Sequence, residues 1–148
     1  MRLARIAVPS AILLAAACSK EVKLIPPTTP KEGQAVRART LGSSVMDADS
    51  THPVCPVRIR YDAELTVSKL TGKLQYQWIR STGEKTPVRE LDIPVTAKNG
   101  EAVLPIEPDI WPLTRPDSQF TFSEYIHILS PIDTRTQNMD VTAKCYAK

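Results

Sequence analysis

The residue types that most often carry out chemistry are few in this 148-residue chain, and they lie far apart. Its two histidines are His52, which precedes a proline, and His127, in a stretch where apolar and polar residues alternate. Neither has a cysteine or a carboxylate at the spacing of a metal site. A histidine in an alternating stretch is more often a surface or core-margin residue than a ligand. We therefore expect no metal site.

The candidate nucleophiles and acid–base groups are equally scattered. Ser43, Ser44 and Ser123 have no base nearby in the sequence that would activate a hydroxyl. Five glycines are too few for a phosphate-binding loop. The carboxylates fall in turns and on strand faces rather than in a pair with opposed acid and base roles: Glu84, Glu90, Asp92, Glu107 and Asp109. We predict that the protein is not an enzyme and binds no cofactor.

The charge balance argues against nucleic acid as a partner. The chain has 19 Lys and Arg against 16 Asp and Glu, a net charge of +3. Arg2 and Arg5 lie in a segment that we expect to be removed, which leaves a net charge near +1. Nucleic-acid-binding proteins carry a clustered basic surface, and this sequence has none.

The first 17 residues have the composition of a secretory signal. Arg2 and Arg5 precede Ile6–Ala17, an apolar run of 12 residues. A run of that length is too short to cross a bilayer and is typical of the apolar region of a signal peptide.

The residues Leu14–Cys18, LAAAC, resemble the lipobox of bacterial lipoproteins, although the leucine lies four residues before the cysteine instead of three. The resemblance implies that residues 1–17 are a lipoprotein signal peptide and that Cys18 is lipidated and becomes the first mature residue. It further implies an exported protein, anchored by lipid in the bacterial cell membrane or the outer membrane. The alternative is an ordinary signal peptide with a cysteine near its cleavage site.

Residues 18–53 read as a tether after the lipidated cysteine. The segment is rich in Pro, Thr and Ser, and such composition favours an extended, semi-rigid spacer. Within it, Ala35–Leu41 alternates apolar and basic residues and could form a first edge strand. Arg37 and Arg39 would then lie on a solvated face, or alternatively contact anionic lipid head groups.

From Val54 onward the pattern has a period of two residues, which predicts strands with one buried face. Val57–Val67 alternates throughout, and Leu74–Pro94 reads as a hairpin with Tyr76 and Trp78 inward and Gln75 and Gln77 outward. Further strands are predicted at Glu101–Ile106, Phe120–Leu129 and Met139–Tyr146, with a proline-rich connection holding Trp111 after the first of these. The fold class predicted is all-β, an antiparallel β-sandwich of about seven strands, with a small barrel as the alternative.

Residues 54–148 resemble a bacterial Ig-like or fibronectin-type domain. The likeness lies in Cys55-Pro56, in Tyr76-x-Trp78 followed by Arg80, and in Ser130-Pro131 before a last strand that ends in a cysteine. Such domains bind partners or space other domains, and they share no chemistry. The resemblance therefore implies a single Ig-like sandwich over residues 54–148.

With Cys18 lipidated, Cys55 and Cys145 form the only intrachain pair that the sequence allows. We predict a disulfide between them, since exported proteins keep such bonds. The alternatives are two free thiols, or a partner attached through one of them.

Two regions are candidates for partner contact. One is the turn Ser81–Thr86, which includes Lys85, with its flanking Arg80 and Arg89, because loops at the ends of sandwiches often carry recognition. The other is Trp111, which would be a strong interface anchor if exposed. The simpler interpretations are a solvated hairpin tip and a tryptophan that fills the core under a long loop.

The function predicted is that of a membrane-anchored lipoprotein of the cell envelope whose Ig-like domain mediates protein–protein interaction or envelope structure. Its partners would be the membrane, through the lipid anchor, and an envelope protein. One alternative is an accessory, pilotin-like lipoprotein of a secretion or envelope machine. Another is a carbohydrate- or peptidoglycan-binding module, whose aromatic platform would come from Trp111, Tyr125 and Tyr146.

Overall fold

The computed structural model describes residues 22–46 and 51–148, which form eight strands in two antiparallel sheets. The first sheet has the order β1-β2-β5, and the second has the order β4-β3-β6-β7, with β8 also pairing with β6. A 3-10 helix, Val95–Lys98, precedes β5. The strands are β1 Ala35–Met46, β2 Val57–Ser68, β3 Lys73–Arg80, β4 Arg89–Asp92, β5 Glu101–Leu113, β6 Gln119–Ser130, β7 Thr134–Arg135 and β8 Met139–Lys144.

The predicted all-β sandwich is confirmed, and the strand beyond the seven expected is the two-residue β7. The described residues include no helix that is long and apolar enough to cross a membrane. The predicted signal peptide, residues 1–17, and the lipidation of Cys18 lie outside the described residues.

The core follows the alternation read from the sequence. In β2 every second residue from Val57 to Val67 is buried, and in β3 so are Leu74, Tyr76 and Trp78. Strand β6 adds Ile126 and Ile128 from the same sheet as β3. Because successive side chains point to opposite faces of a sheet, each strand contributes one apolar row to the space between the sheets.

The prediction that Gln75 and Gln77 point to solvent is wrong, because both are buried. The chain before β1 lies against Gln75. The Gln75 amide accepts a hydrogen bond from the Ile25 N–H and donates one to the Lys23 carbonyl, both at 2.7 Å. A segment predicted as free tether therefore covers part of the second sheet.

Strand β1 is longer than the predicted edge strand and includes 12 residues of the predicted tether, 35–46. It pairs with β2 from Ala35, opposite Ser68, to Met46, opposite Arg58. Only Val36 is buried in it, because β1 is an edge strand held mainly by backbone hydrogen bonds. The sandwich therefore begins at β1, and the predicted domain start at Val54 falls inside it.

Strand β5 continues through the proline-rich stretch that was predicted as a connection. Among the described strands it pairs only with β2, and Pro108 lies where the register between the two strands shifts. Proline is tolerated at sheet edges and at bulges because its missing N–H breaks no ladder there. Trp111 consequently lies in a strand, opposite Ile59.

Strand β4 is shorter than the predicted Val88–Val95. Only Arg89–Asp92 pairs with β3, and the chain then turns into the 3-10 helix, where Val95 is 87% exposed. Pro94 precedes this helix, a position where the missing N–H of proline costs no hydrogen bond.

The predicted disulfide is present between Cys55 and Cys145, whose Cα atoms are 5.1 Å apart. Beside it, the Cys55 N–H donates to the Tyr146 carbonyl and the Tyr146 N–H donates to the Pro53 carbonyl, both at 2.9 Å. The bond joins the segment before β2 to the segment after β8. It thereby ties the first sheet to the second near both ends of the predicted domain.

Replacing Cys55 or Cys145 with alanine should lower the free energy of unfolding by similar amounts, and the double replacement should cost no more than either one. Either change opens the same loop of 90 residues. Closing a loop of this length contributes roughly 4–5 kcal/mol on the chain-entropy model. Urea unfolding measures the loss, and the reduced wild-type chain is the control. Losses that add in the double variant would contradict the bridge.

Candidate functional site

The hairpin tip, defined as residues 81–86, is exposed but held in one shape. The Gly83 N–H donates to the Arg80 carbonyl at 2.8 Å, and the Arg80 N–H donates to the Glu84 carbonyl at 2.9 Å. Gly83 has a φ of +85°, a region that glycine adopts without steric cost. Thr86 exchanges hydrogen bonds with the backbone of Trp78, accepting one on its hydroxyl at 2.9 Å. The tip is therefore a preformed surface loop.

Arg80, at the end of β3, lies beneath this tip instead of projecting from it. Its guanidinium donates twice to one carboxylate oxygen of Asp109, at 2.9 and 2.7 Å, and once to Glu84 at 3.0 Å. The same guanidinium lies 4.7 Å from the centre of the Trp111 ring. Its side chain is only 17% exposed. Arg80 therefore connects β3 to β5 and has little surface left for a partner.

Trp111, predicted as a candidate contact residue, is 7% exposed and belongs to the core. Its indole N–H donates to Asp109 at 3.1 Å, and its ring meets Phe122 edge-on at 5.2 Å. The ring is buried because β5 continues to Leu113 and turns this position toward the second sheet. The interpretation of Trp111 as an exposed interface anchor is therefore corrected, and it fills the core.

Arg89, in β4, also serves the fold. Its guanidinium donates to the carbonyl oxygen of Glu107 at 3.0 Å and approaches the Glu107 carboxylate at 3.4 Å. These contacts hold the short strand β4 against the irregular part of β5. Arg89 is half-buried, so only part of its charge is open to solvent.

Lys85 is the predicted contact residue that remains fully on the surface. It lies in the exposed tip, opposite Ile79, and no ion pair with another described residue holds its ammonium group. The structure thus divides the four predicted residues into two groups. Arg80, Arg89 and Trp111 shape the end of the sandwich, and Lys85 is presented by it.

A buried carboxyl lies behind Arg80 and was not predicted. Glu124 in β6 has no solvent exposure, and one of its carboxyl oxygens lies 3.8 Å from Arg80 Nε. The signal was present in the sequence, since Glu124 is an even number of residues from Ile126 and Ile128 and so shares their inward face. The alternation therefore places Glu124 on the inward face of β6.

Burial sets the charge state of this group. Removal from water is the main cause that raises the pKa of Glu124 to about 9, and the neighbouring Asp109 adds to it while Arg80 opposes it. At neutral pH Glu124 is therefore protonated and uncharged. The short ion pair of Arg80 is with Asp109, one of whose carboxylate oxygens lies 2.7 Å from the guanidinium. The pKa of Tyr61, buried on the facing strand, is also raised, first by burial and then by Glu124.

Replacing Glu124 with glutamine should flatten the dependence of stability on pH. Folded chains keep a proton on Glu124 up to about pH 9, whereas unfolded chains release it near the ordinary value of 4.5, so wild-type stability falls as the pH rises between them. From pH 5 to pH 7 the variant should gain on the order of 2–3 kcal/mol relative to wild type.

Urea unfolding at several pH values measures this difference. Glu84→Gln is the matched control, because Glu84 accepts a hydrogen bond from the same arginine but is 64% exposed. Its loss should cost no more than an exposed ion pair, roughly 0.2–1 kcal/mol. Parallel pH profiles for wild type and Glu124→Gln would show that the buried carboxyl does not hold the proton.

The other candidate groups do not converge. His127 pairs with Asp133 at 2.8 Å, and His52 packs against Tyr146 with ring centres 4.8 Å apart. Among residues 22–46 and 51–148, no three His, Cys, Asp or Glu side chains are grouped so that they could hold a metal ion. The aromatic platform suggested for carbohydrate would include the buried Trp111, while Tyr125 has the Arg135 guanidinium over its ring at 4.9 Å.

Comparisons of the chain with family models, with curated proteins and with solved structures found no match. The sandwich architecture therefore rests on the strand pairing described above, and no relative's activity carries over to this chain.

Proposed function

We propose that this protein is a lipid-anchored, exported component of a bacterial cell envelope whose Ig-like sandwich contacts another envelope protein through the hairpin tip. The arrangement of the three cysteines carries the proposal. Cys55 and Cys145 are paired, and Cys18, the third cysteine, directly follows the apolar run of the predicted signal peptide.

The disulfide supports an exported location, because such bonds form and persist in oxidising compartments. An unpaired thiol would be reactive there, and lipidation of Cys18 removes that thiol. Several acyl chains on one cysteine would hold the protein at a membrane, since each buried methylene contributes about 0.8 kcal/mol.

The geometry of β3 supports contact at the hairpin tip. Gln75, which binds the segment leading back to Cys18, lies near the start of β3, and the tip follows its last residue, Arg80. Arg80 is five positions after Gln75, a distance of about 17 Å along the strand. An anchored sandwich would therefore present the tip, with Lys85, away from the lipid.

Changing Cys18 to serine should move the protein from the membrane fraction to the soluble fraction of the envelope. Serine cannot accept the thioether-linked lipid, and the exported sandwich would keep its own disulfide. Cell fractionation followed by immunoblotting measures the distribution. Cys55→Ala is the control, because it also removes a thiol but should leave the anchor intact; a Cys18→Ser protein that still pellets with membranes would refute the anchor.

Reversing the charge of Lys85 should weaken the proposed contact several-fold without unfolding the sandwich, because its ammonium group lies in the exposed tip. A photo-crosslinking residue at Thr82 in the native envelope reports the contact. We expect the yield of one crosslinked species to fall in Lys85→Glu. Lys98→Glu, an exposed lysine of the 3-10 helix, is the control for net charge. Equal yields from the two variants would exclude Lys85 from the contact.

A further inference from the structure

We propose that the sandwich rests directly on the bilayer through an apolar patch formed by Val22, Leu24, Ile25 and Pro26, here called the proximal patch. This inference rests on the proposed anchor at Cys18 and goes beyond it. It assigns to the sandwich a surface that contacts lipid and an orientation on the membrane. The sequence had instead predicted a spacer of about 35 residues between the anchor and the domain.

The first argument is the length of chain between the anchor and the sandwich. Gln75 binds the backbone of Lys23 and Ile25, and further on the N–H and hydroxyl of Thr28 both donate to the Pro131 carbonyl, at 2.8 and 3.1 Å. The chain therefore joins the sandwich at Lys23. Lys23 is five positions after Cys18, and even a fully extended chain spans at most about 18 Å over that length.

The second argument is the chemistry of the patch. Leu24 is 61% exposed and Ile25 is 40% exposed, and they are the only adjacent pair among the exposed large apolar side chains of the described residues. They line a shallow groove of about 540 Å³ together with Lys23, Lys73 and Glu90. Lys73 forms an ion pair with Glu90, and Lys23 lies on the exposed surface. Aliphatic side chains beside a lysine suit the boundary between phospholipid head groups and acyl chains.

The third argument is why lipid, rather than a protein, covers this patch. Two exposed aliphatic side chains are far smaller than a stable protein interface, which buries about 800 Å² on each partner. A membrane surface needs no such area here, because the anchor already supplies the local concentration of lipid. The short connection to the anchor keeps Leu24 close to the bilayer, which supplies the apolar phase.

The clamp at Gln75 then fixes the orientation. Its side chain uses both amide atoms on the incoming backbone, and its amide also donates to Glu90 at 3.0 Å. The patch is thereby held beside the start of β3, at the opposite end of that strand from the hairpin tip. Loss of this clamp would release Leu24 and Ile25 from the sandwich while leaving the lipid on Cys18 unchanged.

The test uses the full lipidated chain in phosphatidylethanolamine–phosphatidylglycerol vesicles with brominated acyl chains. Leu24→Trp places a fluorescent indole on the patch, and Val103→Trp places one on the first sheet, where Val103 is 38% exposed. After subtraction of the wild-type emission from Trp78 and Trp111, the indole at position 24 should lose at least about half of its emission to bromine. The indole at position 103 should lose little.

Lys73→Trp, whose indole lies on the sandwich beside the patch, should also be quenched, and adding Gln75→Ala should return its quenching to the level of the Val103→Trp control, with the protein still on the vesicles. Equal quenching of Leu24→Trp and Val103→Trp on pelleted vesicles would overturn the docking and leave the anchor standing. A blue-shifted indole without bromine quenching would assign the patch to a protein or a second copy, and would also overturn the proposal. A chain that does not pellet refutes the anchor itself. The comparison of Leu24→Trp with Val103→Trp decides whether the patch contacts the bilayer even where Gln75→Ala fails to fold.

Discussion

The structure depends on how β3 holds the irregular part of β5 across the sandwich. Where the register between β2 and β5 shifts, the Glu107 N–H donates to the Tyr76 hydroxyl at 3.2 Å, and the Glu107 carbonyl accepts from the Trp78 indole at 2.9 Å. A bulge leaves backbone groups without ladder partners, and such groups are costly when buried. The rings of Tyr76 and Trp78 therefore fill the core. Their hydroxyl and indole N–H supply hydrogen bonds to the backbone of Glu107 in the opposite sheet.

This contact also determines what lies next to it. Asp109 follows two residues after Glu107 and meets Arg80 at the end of β3, and Trp111 follows two residues later beneath the same guanidinium. The end of the sandwich that carries the hairpin tip is thus organised around the register shift between β2 and β5. At this end Arg80 and Asp109 join β3 to β5, and Lys85 lies on the exposed surface outside them.

Much of the core could be predicted from the sequence, because β2 and β3 each have one row of apolar side chains. Alternation of apolar and polar residues predicts that such a row is buried, as it is for Val57, Leu65 and Trp78. Alternation fails where burial comes from another cause. Gln75 is covered by a distant backbone segment, and β1 is held mainly by its pairing with β2, with apolar contacts from Val36, Leu41 and Val45. Trp111 was placed in a loop because the prolines around it were read as breaks, although an edge strand tolerates them. The burial of Glu124 was not predicted, because a carboxyl is costly to bury and alternation alone gives only the face on which it lies.

The prolines of β5 also affect whether one copy of the sandwich can pair with a strand of another copy. An edge strand offers free N–H and C=O groups on which another chain can add a strand, which is how sheets grow into aggregates. Pro105, Pro108 and Pro112 remove three of these donors from β5. At the opposite edge, β1 has a register irregularity between Ala38 and Thr40, with Arg37 and Arg39 beside it. Both open edges of the first sheet are thereby poor templates for the addition of a strand from another copy of the chain.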